Sequence, residues 1–242
     1  MVNSVRTLSD TIMDDLSQLA SQFQSESEKN QLSLIPQLVA TGDSGLQVLR
    51  DFLLLRKSSP VNLVTGKTFQ AICQSKTDEN QQFIQTHFPK GIVSLNSEQN
   101  VDYQPLQQAL LEGDYQNADT ITREKFCDLA GEEAIKRKWV YFTEVEQIPA
   151  TDLLTINQLW WIYSEGKFGY QVQRKIWLSL GKDFPKLWEK IGWKNGNQWT
   201  QYPNGFTWDI SAPLGHLPLS NQLRGVRVIS SLFAHPAWSK DQ

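Results

Sequence analysis

The sequence has few of the features that place a protein in a membrane or in an oxidising compartment. None of its apolar runs approaches the ~20 residues of a membrane helix, and residues 1–6 lack the apolar stretch of a secretory signal. Only two cysteines occur in 242 residues, which is too few for a disulfide framework, and we expect both in the core. A cytoplasmic protein is therefore expected.

Motifs for catalysis and for nucleotide or metal binding are also scarce. The chain has no phosphate-binding loop, dinucleotide fingerprint or nucleophile elbow. Its histidines, His87, His216 and His235, are not at the spacing of metal ligands. A net charge of −3 is too small to indicate a nucleic-acid partner. These absences favour a protein that is not an enzyme, has no catalytic cofactor and binds no nucleic acid.

Charge and aromatic residues are unevenly distributed along the chain. Residues 1–150 carry 13 basic and 20 acidic side chains, whereas residues 151–242 carry 10 basic and 6 acidic ones. All nine tryptophans lie between Trp139 and Trp238. A basic, indole-rich part that follows an acidic part indicates two parts with different roles.

Apolar residues recur at intervals of three or four, which is the period of a helix face. A second helix is expected over residues 32–39, in which Pro36 is tolerated only if it lies in the first turn. No strand alternation persists, so the predicted fold is all-α. We expect an N-terminal helical bundle over residues 1–88 and a second helical domain over residues 89–242. The apolar face of the first predicted helix contains Val5, Leu8, Ile12, Leu16, Leu19 and Phe23.

Local signals predict the ends of helices in the second domain. A helix over residues 103–111 should end at Gly113, and Asp114 can cap the next helix. Thr143 and Glu146 match a capping box. Further helices are expected over residues 151–163, 170–180 and 183–191, the last two ending at Gly181 and Gly192.

Residues 193–217, here called the aromatic loop, interrupt this helical period. They contain Trp193, Trp199, Tyr202, Phe206 and Trp208 among several glycines and prolines. Loops of this length in a compact domain are usually functional or disordered, and disordered segments are poor in aromatic residues. The rings therefore form either an apolar interaction surface or part of the helical core.

Three polar residues follow the aromatic loop at intervals of three. Pro218 is expected to begin a helix to about residue 233, on which Asn221, Arg224 and Arg227 form one stripe. The arginines could bind two carboxylates of a ligand, or pair with acidic side chains of a neighbouring helix. The amide oxygen of Asn221 suits Mg²⁺. His216 is interpreted as a hydrogen-bonded loop residue, with axial ligation as the alternative.

An aromatic surface with cations at its edge fits a flat, anionic ligand such as a porphyrin, a lipid or an acidic aromatic metabolite. Seven strings of this sequence, in the same order, resemble the genomes-uncoupled family, whose members bind porphyrins and stimulate magnesium chelatase in oxygenic phototrophs. The N-terminal bundle is similar to the extra domain of cyanobacterial members. The strings are DTITR at residues 119–123, WVYFTEVE at 139–146, DLLTINQLWW at 152–161, GWK at 192–194, GFTWD at 205–209, APLGHLP at 212–218 and NQLRGVR at 221–227.

The resemblance implies a helical domain with an apolar palm that holds protoporphyrin IX or Mg-protoporphyrin IX. It also implies that Asn221 is an axial ligand of porphyrin-bound magnesium. The expected partner is the large porphyrin-binding subunit of magnesium chelatase; we expect a monomer that associates peripherally with the thylakoid membrane. The porphyrin-binding residues would be Trp199, Tyr202, Phe206, Trp208, Leu214, Leu217, Asn221, Arg224 and Arg227.

Two other classes of function are open from the sequence alone. A helical adaptor could dock a protein partner through the aromatic loop without any small ligand. An enzyme acting on an acidic aromatic metabolite would need a paired acid and base. Glu144 and Glu146 do not form such a pair, because residues two apart lie on different faces of a helix.

Overall fold

The structure is a computed structural model that describes residues 8–220 and 225–241. Regular structure in these ranges is helical apart from two strands of two residues each, which confirms the predicted all-α fold. The chain divides into two compact units, Met1–Ile92 and Val93–Gln242. Both cysteines are free thiols; Cys127 is buried and Cys73 is half-buried. No described helix combines the length and apolar character needed to cross a bilayer.

The described part of the first unit has five helices whose apolar faces form one core. Phe23 and Phe52 are both buried, and their ring centroids lie 4.8 Å apart. Ile35, Leu38 and Leu49 are also buried, which matches the helical period of the sequence. The helices are α1 (Leu8–Ser25), α2 (Glu28–Ala40), α3 (Asp43–Arg56), α4 (Leu63–Ser75) and α5 (Asp78–His87).

Pro36 lies in the interior of α2, so the predicted start of this helix is wrong. The helix begins at Glu28, more than one turn before the expected position. An interior proline removes one hydrogen bond and clashes with the preceding turn, at a cost of about 3 kcal/mol. Tertiary burial outweighs this cost, because Ile35 and Leu38 on the same helix are 1% and 0% exposed. Pro36 itself is on the exposed face.

The helices of the second unit pack around large aromatic residues in and directly after the helix Ala150–Ile162. Trp160 and Tyr163 are buried, and the indole Nε1 of Trp160 donates to Oγ1 of Thr122 at 2.9 Å. The hydroxyl of Tyr115 donates to the carbonyl of Tyr163 at 2.8 Å. The described helices are α6 (Gln104–Glu112), α7 (Tyr115–Ala130), α8 (Glu132–Arg137), α9 (Phe142–Val145), α10 (Ala150–Ile162), α11 (Tyr170–Ser179), α12 (Phe184–Lys190), α13 (Arg227–Ala234) and a 3-10 helix (Pro236–Asp241).

The predicted ends of α6, α7, α11 and α12 are confirmed. Gly113 follows α6 with a φ of +77°, in the left-handed region that glycine tolerates. A side-chain oxygen of Asp114 accepts the N–H of Asn117 at 3.1 Å and so caps α7. Gly181 and Gly192 lie just beyond the ends of α11 and α12.

The capping box predicted from Thr143 and Glu146 is wrong by two residues. The short helix α9 already begins at Phe142, so Thr143 lies inside it. The carboxylate of Glu144, and not that of Glu146, accepts the backbone N–H of Tyr141 at 2.7 Å. The spacing rule identified the right helix, but another acidic residue one turn into it satisfies the orphan donor.

The helix predicted from Pro218 is wrong at residues 218–220 and 225–226, the described residues of its first part. The helix α13 begins at Arg227, and Gly225 just before it has a φ of +82°, which is not helical. A left-handed glycine at this position interrupts the helical period on which the predicted stripe depends. Asn221 and Arg224 lie outside the described residues.

The aromatic loop contains the short hairpin of the second unit. Strand β1 (Lys194–Asn195) pairs antiparallel with β2 (Gln198–Trp199). Lys194 lies opposite Trp199, and its ammonium nitrogen is 5.7 Å from the centroid of the indole ring. The hairpin holds Trp199 on the outside of the domain, where the ring is 41% exposed.

Candidate functional site

A cavity of about 990 Å³ lies in the second unit between α7 and the aromatic loop. Small-molecule sites usually have volumes of about 300–1,000 Å³, so this cavity can hold a large ligand. Helix α7 contributes Asp119 and Arg123, and the chain directly after the loop contributes Leu219 and Ser220. The loop itself contributes Trp193, Gln198, Trp199, Thr200, Gln201, Tyr202 and Phe206.

Three of the predicted aromatic residues line this cavity. Trp199 and Tyr202 are 41% and 50% exposed, and Phe206 is half-buried. Trp208 lies behind them, with its ring centroid 5.9 Å from that of Tyr202 and 6.0 Å from that of Phe206. Its indole N–H donates to the carbonyl of Pro203 at 3.0 Å. Trp208 therefore supports the aromatic wall without lining the cavity.

Trp193 belongs to the core, although it also borders the cavity. Its indole lies 5.3 Å from that of Trp188 with an angle of 4° between the ring planes. Its Nε1 donates to the carbonyl of His216 at 2.7 Å, and the residue is 2% exposed. The aromatic loop is thus divided between rings that anchor it in the core and rings that it presents at the surface.

Both ring nitrogens of His216 form hydrogen bonds that hold the aromatic loop in place. Its Nδ1 lies 2.6 Å from the carbonyl of Ile191, and its Nε2 accepts the N–H of Thr207 at 3.2 Å. This pairing requires the tautomer that carries hydrogen on Nδ1. Burial lowers the pKa of His216 below its usual range, so the ring is neutral. Both ring nitrogens are occupied, which supports the structural interpretation over axial ligation.

Asp119 is a fully buried carboxylate in the wall of the cavity. Its Oδ1 accepts the backbone N–H of Leu219 at 2.7 Å. Its Oδ2 has no hydrogen-bond partner among the described residues and lies 3.5 Å from Nε of Arg123. Burial raises the pKa of Asp119 to about 6, and the Leu219 N–H and the Arg123 charge oppose this shift only partly. The hydrogen bond between this carboxylate and Leu219 therefore links α7 to the chain just before residues 221–224.

Arg123 connects α7 with the aromatic loop. Its Nη2 donates to the hydroxyl groups of Thr120 at 3.2 Å and of Tyr202 at 3.3 Å. The guanidinium carbon is 5.4 Å from the centroid of the Tyr202 ring. The side chain is 49% exposed. Among the described residues it is the one cationic side chain that lines the cavity.

Asp119 and Arg123 are lining residues that the predicted site lacks. A signal for them exists in the sequence, because Asp119 falls on the stripe of α7 that also contains Tyr115, Thr122 and Phe126, all buried. A charged residue on a buried stripe needs a partner, and Arg123 follows one turn later.

The structure does not bring the remaining described residues of the predicted site to the cavity wall. Leu217 is buried and its carbonyl accepts the N–H of Gly169 at 3.0 Å, whereas Leu214 is 50% exposed. The guanidinium carbon of Arg227 lies 5.4 Å from the ring centroid of Phe142, against α9. Their roles in ligand binding stay predictions, as do those of the two residues outside the described ranges.

Known protein families match both units. Residues 96–236 match the family model described as GUN4-like. Residues 7–89 match the model described as an ARM-like repeat domain, GUN4-N terminal. The two matches follow each other along the chain, as in the resemblance to cyanobacterial members found in the sequence.

Individual relatives agree with these models. A Ycf53-like protein of Synechocystis sp. is 51% identical over 230 residues, which cover 94% of this chain and 98% of that protein. The chloroplastic tetrapyrrole-binding protein of Arabidopsis thaliana is 40% identical over 143 residues, which cover 55% of this chain and 54% of that protein. The solved structure of GUN4 from Chlamydomonas reinhardtii aligns with a TM-score of 0.57 and 40% identity, covering 61% of this chain and 94% of that one. The family resemblance seen in the sequence is confirmed, and the chain belongs to the GUN4-like family.

Proposed function

We propose that this protein binds protoporphyrin IX and Mg-protoporphyrin IX in the cavity beside the aromatic loop and does not transform them. Membership of the GUN4-like family and the relative named as tetrapyrrole-binding support the proposal. The observation that carries it is that Trp199, Tyr202 and Phe206 line one cavity together with Arg123. A porphyrin is a flat aromatic ring with two carboxylates, so each part of it has a complementary surface.

The exposed rings supply the driving force for this binding. Trp199 and Tyr202 leave 41% and 50% of their surface in water, which is a large apolar exposure for side chains on a folded domain. Covering apolar surface contributes about 25 cal/mol per Å², and an aromatic pair adds about 0.5–1.5 kcal/mol. A tetrapyrrole lying on both rings would gain from each of these terms.

The polar groups around the cavity suit the carboxylates and the central metal of the ligand. Arg123 has five N–H donors, and its hydrogen bonds to Thr120 and Tyr202 use one nitrogen. Nε faces Asp119, so Nη1 is the nitrogen that can donate to a carboxylate of the porphyrin. We retain Arg224 and Arg227 as further carboxylate partners and Asn221 as the axial ligand of magnesium. Ser220 lines the cavity, so the chain reaches it one residue before Asn221.

The first test is a titration of the full chain with protoporphyrin IX and with a magnesium porphyrin, followed by the Soret shift and by tryptophan quenching. The change Tyr202→Ala should weaken binding roughly tenfold, because it removes one aromatic platform. Tyr141→Ala is the matched control, since Tyr141 is 47% exposed but does not line the cavity. Equal losses in the two variants would contradict the proposed site. No Soret shift at all would favour a protein-docking role for the aromatic loop.

We further propose that the porphyrin complex stimulates magnesium chelatase through its large porphyrin-binding subunit. Presenting substrate, withdrawing product and shielding the pigment from light are three ways in which an enclosed ring could do so. Magnesium insertion by purified chelatase subunits should become faster on addition of this protein. Tyr202→Ala should shift this stimulation to higher porphyrin concentration. An unchanged rate with the wild-type chain would contradict the partner proposal and leave porphyrin binding untouched.

The proposal includes a monomer in the cytoplasm that associates peripherally with the thylakoid membrane. Family resemblance supports this location, and the Arabidopsis relative carries a chloroplastic location in its name. Sedimentation velocity tests the monomer. Fractionation of cells with and without magnesium porphyrin tests the membrane association, and a protein found only in the soluble fraction under both conditions would contradict it.

A further inference from the structure

A second cavity, in the first unit, is lined by basic side chains. Its volume is about 320 Å³, near the lower end of ligand sites. Arg56 and Lys57 at the end of α3 line it, together with His87 and Lys90 at the end of α5 and just beyond. None of the described residues that line this cavity is acidic. We refer to it as the basic pocket.

The positive charge of the basic pocket exceeds what its helix ends require. The C-termini of α3 and α5 both border it, and each helix end carries roughly half a negative charge. Two helix ends therefore account for about one unit of positive charge. Arg56 and Lys57 alone supply two, so a positive field remains at the pocket.

Arg56 and Lys57 are held by aromatic rings and not by acidic partners. The guanidinium carbon of Arg56 lies 5.6 Å from the ring centroid of Phe52, and Nζ of Lys57 lies 5.5 Å from that of Phe88. Neither side chain makes an ion pair with a described residue, and both are exposed. Rings fix the direction of these cations while their charges stay available to a partner.

The floor of the pocket is apolar and its rim is cationic. Leu53 and Phe88 are buried at 2% and 7% exposure, and Val61 and Ile92 are half-buried. This arrangement is that of a protein interface, in which an apolar centre excludes water and rim charges select and steer the partner.

We propose that the basic pocket of the first unit docks an acidic segment of a partner protein, with one apolar side chain of that segment on the pocket floor. The exposed rim favours a protein segment over a small anion, because each exposed ion pair contributes only about 0–1 kcal/mol and a segment can combine several of them with contact to the apolar floor. Repeat folds of the ARM-like kind use surfaces between neighbouring helices for binding, which agrees with this position. The proposal is independent of porphyrin binding, which lies in the other unit.

The test measures fluorescence anisotropy of a short labelled peptide with one leucine between two blocks of glutamate, added to the full chain. Arg56→Gln with Lys57→Gln should weaken binding roughly fivefold, the sum expected for two exposed ion pairs. Lys29→Gln with Lys76→Gln removes the same charge from exposed lysines of the same unit that do not line the pocket. This control pair should bind like the wild type.

A peptide with serine in place of leucine should bind more weakly to the wild-type chain. Equal affinity for the two peptides, equal losses in the pocket variant and the control variant, or no binding of the peptide would each overturn the proposal. Preference for a single-stranded oligonucleotide would assign the pocket to nucleic acid instead. A dimer that is lost only in the pocket variant would assign it to a second copy of the chain. Porphyrin titration of the same variants should be unchanged, and thermal melting should confirm that they fold.

Discussion

Asp119 is a fully buried acidic side chain, and only one of its two carboxylate oxygens has a hydrogen bond with a described residue. Leu219 N–H satisfies one carboxylate oxygen, while the other oxygen has only the 3.5 Å contact with Nε of Arg123. Protonation would remove the buried charge and leave the Leu219 hydrogen bond in place, because a neutral acid still accepts through its carbonyl oxygen. The neutral form is therefore favoured in the folded state relative to the unfolded chain.

This pKa gives a pH dependence with a defined sign. The folded pKa of Asp119, about 6, exceeds the ordinary value of 3.8, so the stabilising proton is fully bound below about pH 4 and is lost as the pH rises through 6. Asp119→Asn cannot lose a proton. Its stability relative to wild type should therefore increase from pH 4 to pH 7, by on the order of 2–3 kcal/mol.

Urea denaturation of both chains across this range measures the difference. Asp128→Asn, at an exposed position of the same helix, is the control and should show a smaller change with pH. A difference between Asp119→Asn and wild type that stays flat with pH would show that the carboxylate does not titrate in this range.

Substitution of Arg123 tests whether the carboxylates of the porphyrin contribute to its binding. Arg123→Gln should weaken binding of the free acid roughly tenfold more than binding of the dimethyl ester, because only the free acid offers a carboxylate to the guanidinium. The same change at Arg227 tests the residue that the sequence predicted. Equal losses for acid and ester at Arg123 would show that it acts through the position of Tyr202 and not through ligand charge.

The aromatic character of the site could be predicted, but its division into core and surface could not. A run of five large rings in an irregular segment indicated the surface that Trp199 and Tyr202 provide. Trp193 lies in a stretch of sequence with the same composition. It is nevertheless buried, because its partners are the indole of Trp188 and the carbonyl of His216. Such partners are set by tertiary packing, which local sequence does not report.

At the scale of elements, helices with a long apolar stripe were predicted well and their ends less well. The hydrophobic period extends over several turns, so one unfavourable residue does not erase it. Ends depend on single groups, as at α9, where Glu144 supplies the hydrogen bond expected from a neighbour. The helix predicted from Pro218 was wrong for a related reason, because Gly225 interrupts a spacing of residues that otherwise fits a helix.

The interior proline of α2 leads to a prediction about stability. Pro36→Ala restores the N–H that the helix lacks and relieves the clash with the preceding turn, at an exposed position where little packing is lost. The free energy of unfolding should rise by about 1–2 kcal/mol, which is less than the propensity difference because alanine also frees the unfolded chain. Denaturant unfolding of the full chain measures it.

The neighbouring change Gln37→Ala, also exposed, is the control and should stay within about 0.5 kcal/mol of wild type. A destabilised Pro36→Ala variant would mean that the ring of the proline makes contacts that outweigh the missing hydrogen bond.

At the scale of the whole molecule, the cavity and its supports belong to one compact unit. The described residues that line it run from Asp119 to Ser220, within the unit Val93–Gln242. Since this unit has its own buried core, residues 93–242 produced alone should fold and bind protoporphyrin IX with the affinity of the full chain. The same Soret titration measures this. A truncated chain that keeps its helical circular dichroism but loses binding would give the first unit a direct part in the porphyrin site.

All nine tryptophans lie in the second unit, and this distribution divides the optical signals of the protein. Indole emission can follow only the unfolding of residues 93–242, whereas far-ultraviolet dichroism follows the helices of both units. If the units melt separately, the two signals will give different midpoints in a single sample. A labelled variant is therefore unnecessary for deciding whether this chain unfolds in one step.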